Sequence, residues 1–232
     1  MAGNVLRLVN SPPGLKLDST SSLSLKASPK TDIYATPVPP ELHVYSAPIA
    51  HRRIKTSSLS STKTTVSGVW ILQYDQGGLI ITLPSRENPD PDASNATTWN
   101  MHPAWVKAGV EVQDGKPYIS VVAKARNGWC DWSLVPTNTV NDRDSPLKIT
   151  LEMTRYKNAL LIWLIDGELG KVLVRKVPWV FLDDESNDDA FIGVYAARPD
   201  PDNVGSTLPD DGKLEVHFED LQIITGNPFN DV

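Results

Sequence analysis

From Thr64 to Ile224 the chain is built of short runs in which apolar and polar residues alternate, each closed by a turn signal. A period of two puts successive side chains on opposite faces, so these runs bury one face as β-strands and not as helices. The candidate strands are Thr64 to Leu72, Leu79 to Leu83, Val106 to Val112, Tyr118 to Ala125, Trp129 to Val135, Leu147 to Met153, Ala159 to Ile165, Lys171 to Val177, Ala190 to Tyr195 and Leu214 to Ile224. Between them lie Gln76-Gly77-Gly78, Asp114-Gly115, Arg126-Asn127-Gly128, Lys157-Asn158, Asp166-Gly167 and Asp211-Gly212. Asp-Gly and Asn-Gly pairs accept the positive φ that tight hairpin turns require. About ten strands joined largely by hairpins, with no repeat of roughly 20–50 residues, predict an all-β, two-sheet antiparallel sandwich.

Residues 1–64 differ from the rest: they are rich in Ser, Thr and Pro, with prolines at 12, 13, 29, 37, 39, 40 and 48. Yet Leu15, Leu17, Leu23 and Leu25 alternate with polar residues, and Ile33-Tyr34, Val44-Tyr45 and Ile49 recur between the prolines. A disordered tail carries fewer such residues. The expectation is an extended arm, 1–64, packed along a jelly-roll body, 65–232, and adding an edge strand to it. Within that arm the basic run His51-Arg52-Arg53, with Lys55 and Lys63, reads as a solvated linker.

Composition narrows the function classes. The single cysteine, Cys130, allows no internal bridge and fits a reducing, cytoplasmic setting. The longest apolar run, Ala159 to Ile165, is far short of the ~20 residues that span a bilayer, so no membrane partner is expected. A net charge of −6 speaks against nucleic acid, which needs a clustered basic surface. Asp183-Asp184-Glu185 with Asp188-Asp189 reads as a solvated loop, because the calcium-loop spacing and its glycine are missing. His43, His51, His102 and His217 are scattered without metal spacing, and Gly-x-Ser-x-Gly, phosphate-loop and dinucleotide fingerprints are absent. The residues therefore point to no metal and no cofactor.

Alternation assigns faces to the central strands. Val106, Ala108, Val110 and Val112 share one side, and Lys107, Gly109 and Glu111 the other. One inter-sheet core is expected to take Val110, Trp132, Leu134, Ile192 and Val194. The opposite side of that sheet is then expected to display Lys107, Glu111, Trp129, Asp131, Ser133 and Tyr195, with Gly109 and Gly193 leaving room. Aromatic walls with a few orienting polar groups are the make-up of a binding cleft. Glu111 and Asp131 stand on different strands, so the paired carboxylates of a glycosidase are not evident.

Four ordered motifs carry a resemblance. They are Tyr74-Asp75-Gln76-Gly77-Gly78-Leu79, Val106-Lys107-Ala108-Gly109-Val110-Glu111, Asp131-Trp132-Ser133, and Gly193-Val194-Tyr195-Ala196-Ala197-Arg198-Pro199. Together with Ser28-Pro29-Lys30-Thr31-Asp32-Ile33 they resemble a fungal and bacterial family of unknown function with a concanavalin A-like jelly-roll, which includes the fungal "regulation of enolase" proteins. The resemblance implies the fold and a ligand-sized face, and no activity, since one fold hosts many functions. The segment Ser85 to Met101, followed by His102-Pro103-Ala104-Trp105, is longer than a turn needs, and such inserts carry specificity or lids.

Three readings of function stay open on these residues. The first is a regulatory or binding protein that takes a small, largely apolar molecule in an aromatic cleft, with a protein partner as a further option. The second is a cofactor-free cyclase, isomerase or Diels-Alderase-like catalyst of fungal specialised metabolism, working by holding a reactive conformer. The third is a lectin-like carbohydrate-binding module, with sugars on Trp129 or Trp105 and hydroxyls on Asp131 and Glu111. The candidate ligand-binding residues are Tyr74, Trp105, Lys107, Glu111, Trp129, Asp131, Ser133 and Tyr195.

Overall fold

The computed structural model describes residues 5–11, 22–126, 128, 130–137, 146–182, 188–200 and 212–226. Upstream of Leu59 lie β1 (Arg7–Val9), β2 (Ser22–Ala27), β3 (Ile33–Thr36), β4 (Leu42–Tyr45), β5 (Ile49–Lys55) and a 3-10 turn, Thr56–Ser58. Then come β6 (Leu59–Gly68), β7 (Gln76–Leu83), β8 (Ala104–Gln113), β9 (Lys116–Lys124) and β10 (Cys130–Pro136). β11 (Leu147–Tyr156), β12 (Ala159–Asp166), β13 (Gly170–Val177), β14 (Asp189–Ala197) and β15 (Leu214–Thr225) follow. The ten runs expected from the period-two pattern are β6 to β15.

These strands form two antiparallel sheets, one of seven strands in the order β1-β5-β14-β7-β8-β9-β10 and one of six in the order β13-β12-β11-β6-β15-β2. The pair β3-β4 stands apart as a hairpin. The architecture is a concanavalin A-like jelly-roll sandwich. Strands upstream of Thr65 belong to both sheets: β1 and β2 are edges, whereas β5 is paired on both sides, with β1 and β14. The basic run His51-Arg52-Arg53 is thus strand, not the linker that its composition suggests. His51 stacks on Phe191 at 4.4 Å between ring centroids, and the Arg53 guanidinium lies over the same ring. Leu15, Leu17 and the acidic run 183–185 lie outside the described residues.

The main core lies between the sheets. Leu79, Ile81, Val106, Ala108, Val110, Ile192 and Val194 meet Val66, Leu151, Met153, Val216 and Phe218 there. What sets this sandwich apart is that β7 is buried along its whole length, and β8 and β14 nearly so. A strand buried on both faces needs cover on both. The outer face of the seven-stranded sheet carries a second core, in which Ile49, Ile80, Trp105, Val122 and Tyr195 pack under Ile33 and Tyr45 of the β3-β4 hairpin and Ala96 of the insert. A two-stranded hairpin is marginal alone, so this burial is what holds it. Gly78 and Gly109 face each other in the middle of this surface. A methyl group on Gly109 would sit 2.0 Å from the Gly77 carbonyl oxygen, so glycine serves close backbone approach here and not, as expected, space for a ligand.

A buried ion pair fastens the loops at one end. Arg198 donates through Nε to Asp75 Oδ1 at 2.7 Å and through Nη2 to Oδ2 at 2.8 Å. Both side chains are almost completely buried, and the remaining valences are filled. Asp75 accepts from the Ile71 and Leu72 amides, while Arg198 Nη1 donates to the Gly212 carbonyl. Arg198→Met strands a buried carboxylate and should cost about 3–5 kcal/mol. Adding Asp75→Asn removes the charge and should recover part of that loss, read as urea midpoints of the single and double variants.

Candidate functional site

On the outer face of the seven-stranded sheet the register sets one row per strand: Gln76 and Ile80 of β7, Lys107 and Glu111 of β8, Ser120 and Val122 of β9, Cys130 and Trp132 of β10. The β3-β4 hairpin crosses this surface and encloses a cavity of about 720 Å³ against it. Asp32, Tyr34, Thr36 and Val38 come from the hairpin side, and Pro199 and Asp200 from the end of β14. Its size is that of a small-molecule site.

Lys107 is the centre of the cavity's polar chemistry. Its Nζ donates to the Ile33 carbonyl at 2.8 Å and to Gln76 Oε1 at 2.6 Å, and pairs with Asp32 Oδ1 at 3.6 Å. The ammonium also stands 5.4 Å from the Trp105 ring and 5.7 Å from that of Tyr195. A buried charge must be paired and hydrogen-bonded, and here most of the partners lie on or beside β3. Lys107 thereby clamps the hairpin onto the sheet.

Glu111 has a different environment. Ser120 Oγ donates to Glu111 Oε2 and accepts from Trp132 Nε1 at 3.1 Å. An indole N–H is donor only, so the order Trp132, Ser120, Glu111 is fixed. Burial pushes the Glu111 carboxyl above the usual range, against the opposing pull of Lys107 and the Ser120 hydrogen bond. Burial raises Tyr195 and the Cys130 thiol as well.

Half-exposed aromatics edge the cavity. Trp132 is 45% exposed and Tyr74 37%, and their rings meet edge-on at 6.4 Å. Tyr74 adopts φ 64°, a left-handed conformation that is costly for a bulky side chain. Its amide donates to the Val112 carbonyl, and the Val112 amide returns to Asp75, so one extra residue is accommodated at the start of β7.

Of the eight candidate residues, Tyr74, Lys107, Glu111 and Asp131 reach the cavity. Trp105 and Tyr195 are buried in the outer core beside Lys107 and do not line the cavity, so neither presents a face to a ligand. Asp131 stands at the rim with its carboxylate 2.6 Å from Arg175 of β13. Ser133 shares that side of β10 and accepts from the same arginine at 3.0 Å, but does not line the cavity. Trp129 lies outside the described residues. Trp132 and Leu134, expected in the inter-sheet core, share the outer face with Val122 and Ser120. The parity of the edge strand is reversed, since apolar residues occur on both sides of β10 and alternation alone cannot orient it. Asp32, Tyr34, Gln76, Ser120 and Trp132 complete the site. Of these, Asp32, Gln76 and Trp132 fall inside the resemblance motifs. Among the described residues no three His, Cys, Asp or Glu side chains are grouped to hold a metal, and no helix is long and apolar enough to cross a membrane.

The hairpin is also fastened by His102, whose Nε2 lies 3.1 Å from the Val44 carbonyl. Burial pushes His102 down to about 4, so its neutral form belongs to the folded state. The stability this contributes is complete above the unfolded value near 6.5 and is lost as pH falls toward 4, by at most about 3 kcal/mol. His102→Gln should be less stable than the wild type at pH 7, and the gap should close on titration to pH 4. A gap independent of pH would show that this imidazole is not held neutral.

Comparison with known proteins adds the following. The family model described as "Protein of unknown function (DUF1349)" matches residues 8–225. An uncharacterized protein of Emericella nidulans is 37% identical over 180 residues, covering 77% of this chain and 78% of that one. "Regulation of enolase protein 1" of Saccharomyces cerevisiae is 26% identical over 147 residues, covering 63% of this chain and 60% of that protein. A crystal structure of a functionally unknown Saccharomyces cerevisiae protein superposes with a TM-score of 0.65 at 21% identity, over 95% of this chain and 96% of the other. At that identity the likeness speaks for the fold alone.

Proposed function

Since the chain belongs to the DUF1349 family, whose description assigns no activity, we propose on geometry that the cavity under the β3-β4 hairpin binds a small, largely apolar organic molecule with one polar end. The ring-containing body packs against Trp132, Tyr74 and Tyr34, and the polar end meets Glu111. The observation that carries this reading is a buried carboxyl pushed toward its neutral form at the base of a cavity edged by half-exposed aromatics. A protonated carboxyl donates a hydrogen bond, which suits a ligand carbonyl, ether or hydroxyl. Lys107 serves as a positioning residue, its protons already directed at the hairpin, Gln76 and Asp32. A regulatory role agrees with the name of the yeast relative.

A second reading, a cofactor-free cyclase or isomerase, is favoured by the same carboxyl. A carboxyl pushed toward its neutral form by burial can protonate a bound olefin or carbonyl and retrieve the proton afterwards. Binding without turnover in the wild type separates the first reading from the second. Sugar stacking on Trp105 is not a reading this cavity supports, because that ring is covered.

The test is a thermal-shift screen of ring-containing small molecules, followed by calorimetry on the hits. Each aromatic contact contributes roughly 0.5–1.5 kcal/mol beyond area, so Trp132→Ala should weaken binding about tenfold once its buried area is included. Tyr74→Gly should weaken binding while stability holds or rises by about 1 kcal/mol, because glycine relieves the left-handed conformation. Wild-type affinity should fall as pH rises through the Glu111 transition, and Glu111→Gln should make it flat. Wild-type affinity in all three variants would remove the cavity as the binding site.

A further inference from the structure

The insert 84–103 builds a second concavity on the same sheet face, at the opposite end of β8 from Glu111. It measures about 480 Å³ and is lined by the insert, by Arg53 and Asp189 of the neighbouring strands, and by Arg126 beyond β9. The insert is a packed unit. Asn88 is buried and donates to Asn95 Oδ1 and the Met101 carbonyl, Asp92 caps the Ser94 and Asn95 amides, and Ala96 enters the outer core. The amides of Met101 and His102 both donate to the Thr98 carbonyl and close a turn. On that turn stands Trp99, left 46% exposed by a loop that buries its other anchors.

The placement of Trp99 is specific. A methyl group on Gly128 would lie 2.4 Å from Cζ3 of the indole, and Gly128 has φ +83°. Only glycine lets the backbone back the ring this closely. Trp99 thus lines the cavity as a half-exposed indole with the Gly128 backbone close against its six-membered ring.

The charges around Trp99 decide what the indole can hold. Three arginines line the cavity, Arg53, Arg86 and Arg126, and three acids, Glu87, Asp188 and Asp189. Arg53 is bound to Asp189 at 2.8 Å and to Asp90 at 3.2 Å, and Arg126 reaches Asp188 at 3.8 Å. Equal numbers of both signs leave no net positive field to capture a free phosphate or sulfate. Interspersed donors and acceptors match instead a ligand whose neighbouring groups each donate and accept. Vicinal hydroxyls do so, and the negative face of an indole attracts the C–H edge of the ring that carries them.

We propose that this cavity is a second binding site, for a neutral carbohydrate, with one pyranose ring stacked on Trp99 and its hydroxyls on the surrounding guanidinium and carboxylate groups. The site is independent of the cavity under the hairpin. Its volume accommodates one or two sugar rings.

The experiment is calorimetry of the full chain with cellohexaose, xylohexaose, laminarihexaose, mannohexaose and chitohexaose, with heparin and inorganic phosphate as anionic arms. At least one neutral hexasaccharide should bind with Kd below about 1 mM. Trp99→Ala should weaken it about tenfold or more, and Trp132→Ala in the other cavity should leave it unchanged. In the wild type the Trp99 indole N–H resonance, assigned by its loss in Trp99→Phe, should shift on addition of the sugar, which keeps the test open if the alanine variant folds poorly. Gly128→Ala should also weaken binding by displacing the indole. No binding of any of the five sugars overturns the proposal. So does binding that Trp99→Ala retains with no shift of the Trp99 signal. Binding of heparin or phosphate alone, falling steeply with salt, makes the site an anion site and overturns it too.

Discussion

The Asp75–Arg198 pair is the contact on which the arrangement at one end of the sandwich depends. It joins residues 123 apart in the chain, yet it is bidentate, dry and completed by backbone groups on both sides. Through it the turn before β7, the exit of β14 and the segment entering β15 hold one geometry. Thr31, whose hydroxyl accepts from the Arg198 amide, ties the approach to β3 into the same node. Tyr74 and Gln76 flank Asp75, and Pro199 follows Arg198, so the walls of the hairpin cavity hang directly on this pair. A buried ion pair is weak evidence for stability in itself, because desolvation consumes most of the Coulomb gain. Its effect here is to specify position. A residue whose guanidinium must meet a carboxylate and a carbonyl while its amide meets the Thr31 hydroxyl has few alternative arrangements.

Much of this architecture was legible because burial and alternation reinforce each other in the middle of the sheets. Val106 to Val112 and Ile192 to Val194 state their faces without ambiguity, and both fall where the period of two puts them. The edge strand β10 was not legible by the same means, since Trp132, Leu134 and Val135 place apolar groups on both sides. Counting across the turn does orient it. Lys124 pairs with Cys130, so Trp132 must share the face of Val122, not that of Val121. Register carried the information that local hydrophobicity lacked.

The upstream segment was harder to read, because proline and serine content suggests a loose arm while the residues between the prolines are strands. β5 is basic at His51, Arg52 and Arg53, yet each of these has a place: His51 and Arg53 against Phe191, and Arg52 donating to the Ile223 carbonyl across the sandwich. Composition averages over such alternation and misses it. The hairpin β3-β4 left a fainter trace, two pairs of apolar residues between prolines, and nothing in the linear pattern shows that it lies across Lys107. Asp32 and Gln76 could be named only from their position in motifs, and what makes them matter is a lysine ammonium that needs acceptors.

That need explains why the cavity and the hairpin are one problem. Lys107 is buried, and the carbonyl of Ile33 and the carboxylate of Asp32 are supplied by the segment that forms the cavity's roof. Lifting the hairpin would leave the ammonium with Gln76 as its one remaining neighbour among these acceptors, so roof position and charge satisfaction are coupled. Tyr34 and Thr36 also line the cavity from that roof. A ligand touching both roof and floor then binds the docked hairpin and not the lifted one, and its affinity includes the free energy of docking. The same charge accounting bears on Glu111. One ammonium and four carboxyls line the cavity: Asp32 pairs with Lys107, Asp131 pairs with Arg175 at the rim, Asp200 stands at the end of β14, and Glu111 is the buried one. With Lys107 already paired to Asp32, burial of Glu111 pushes its carboxyl toward the neutral form.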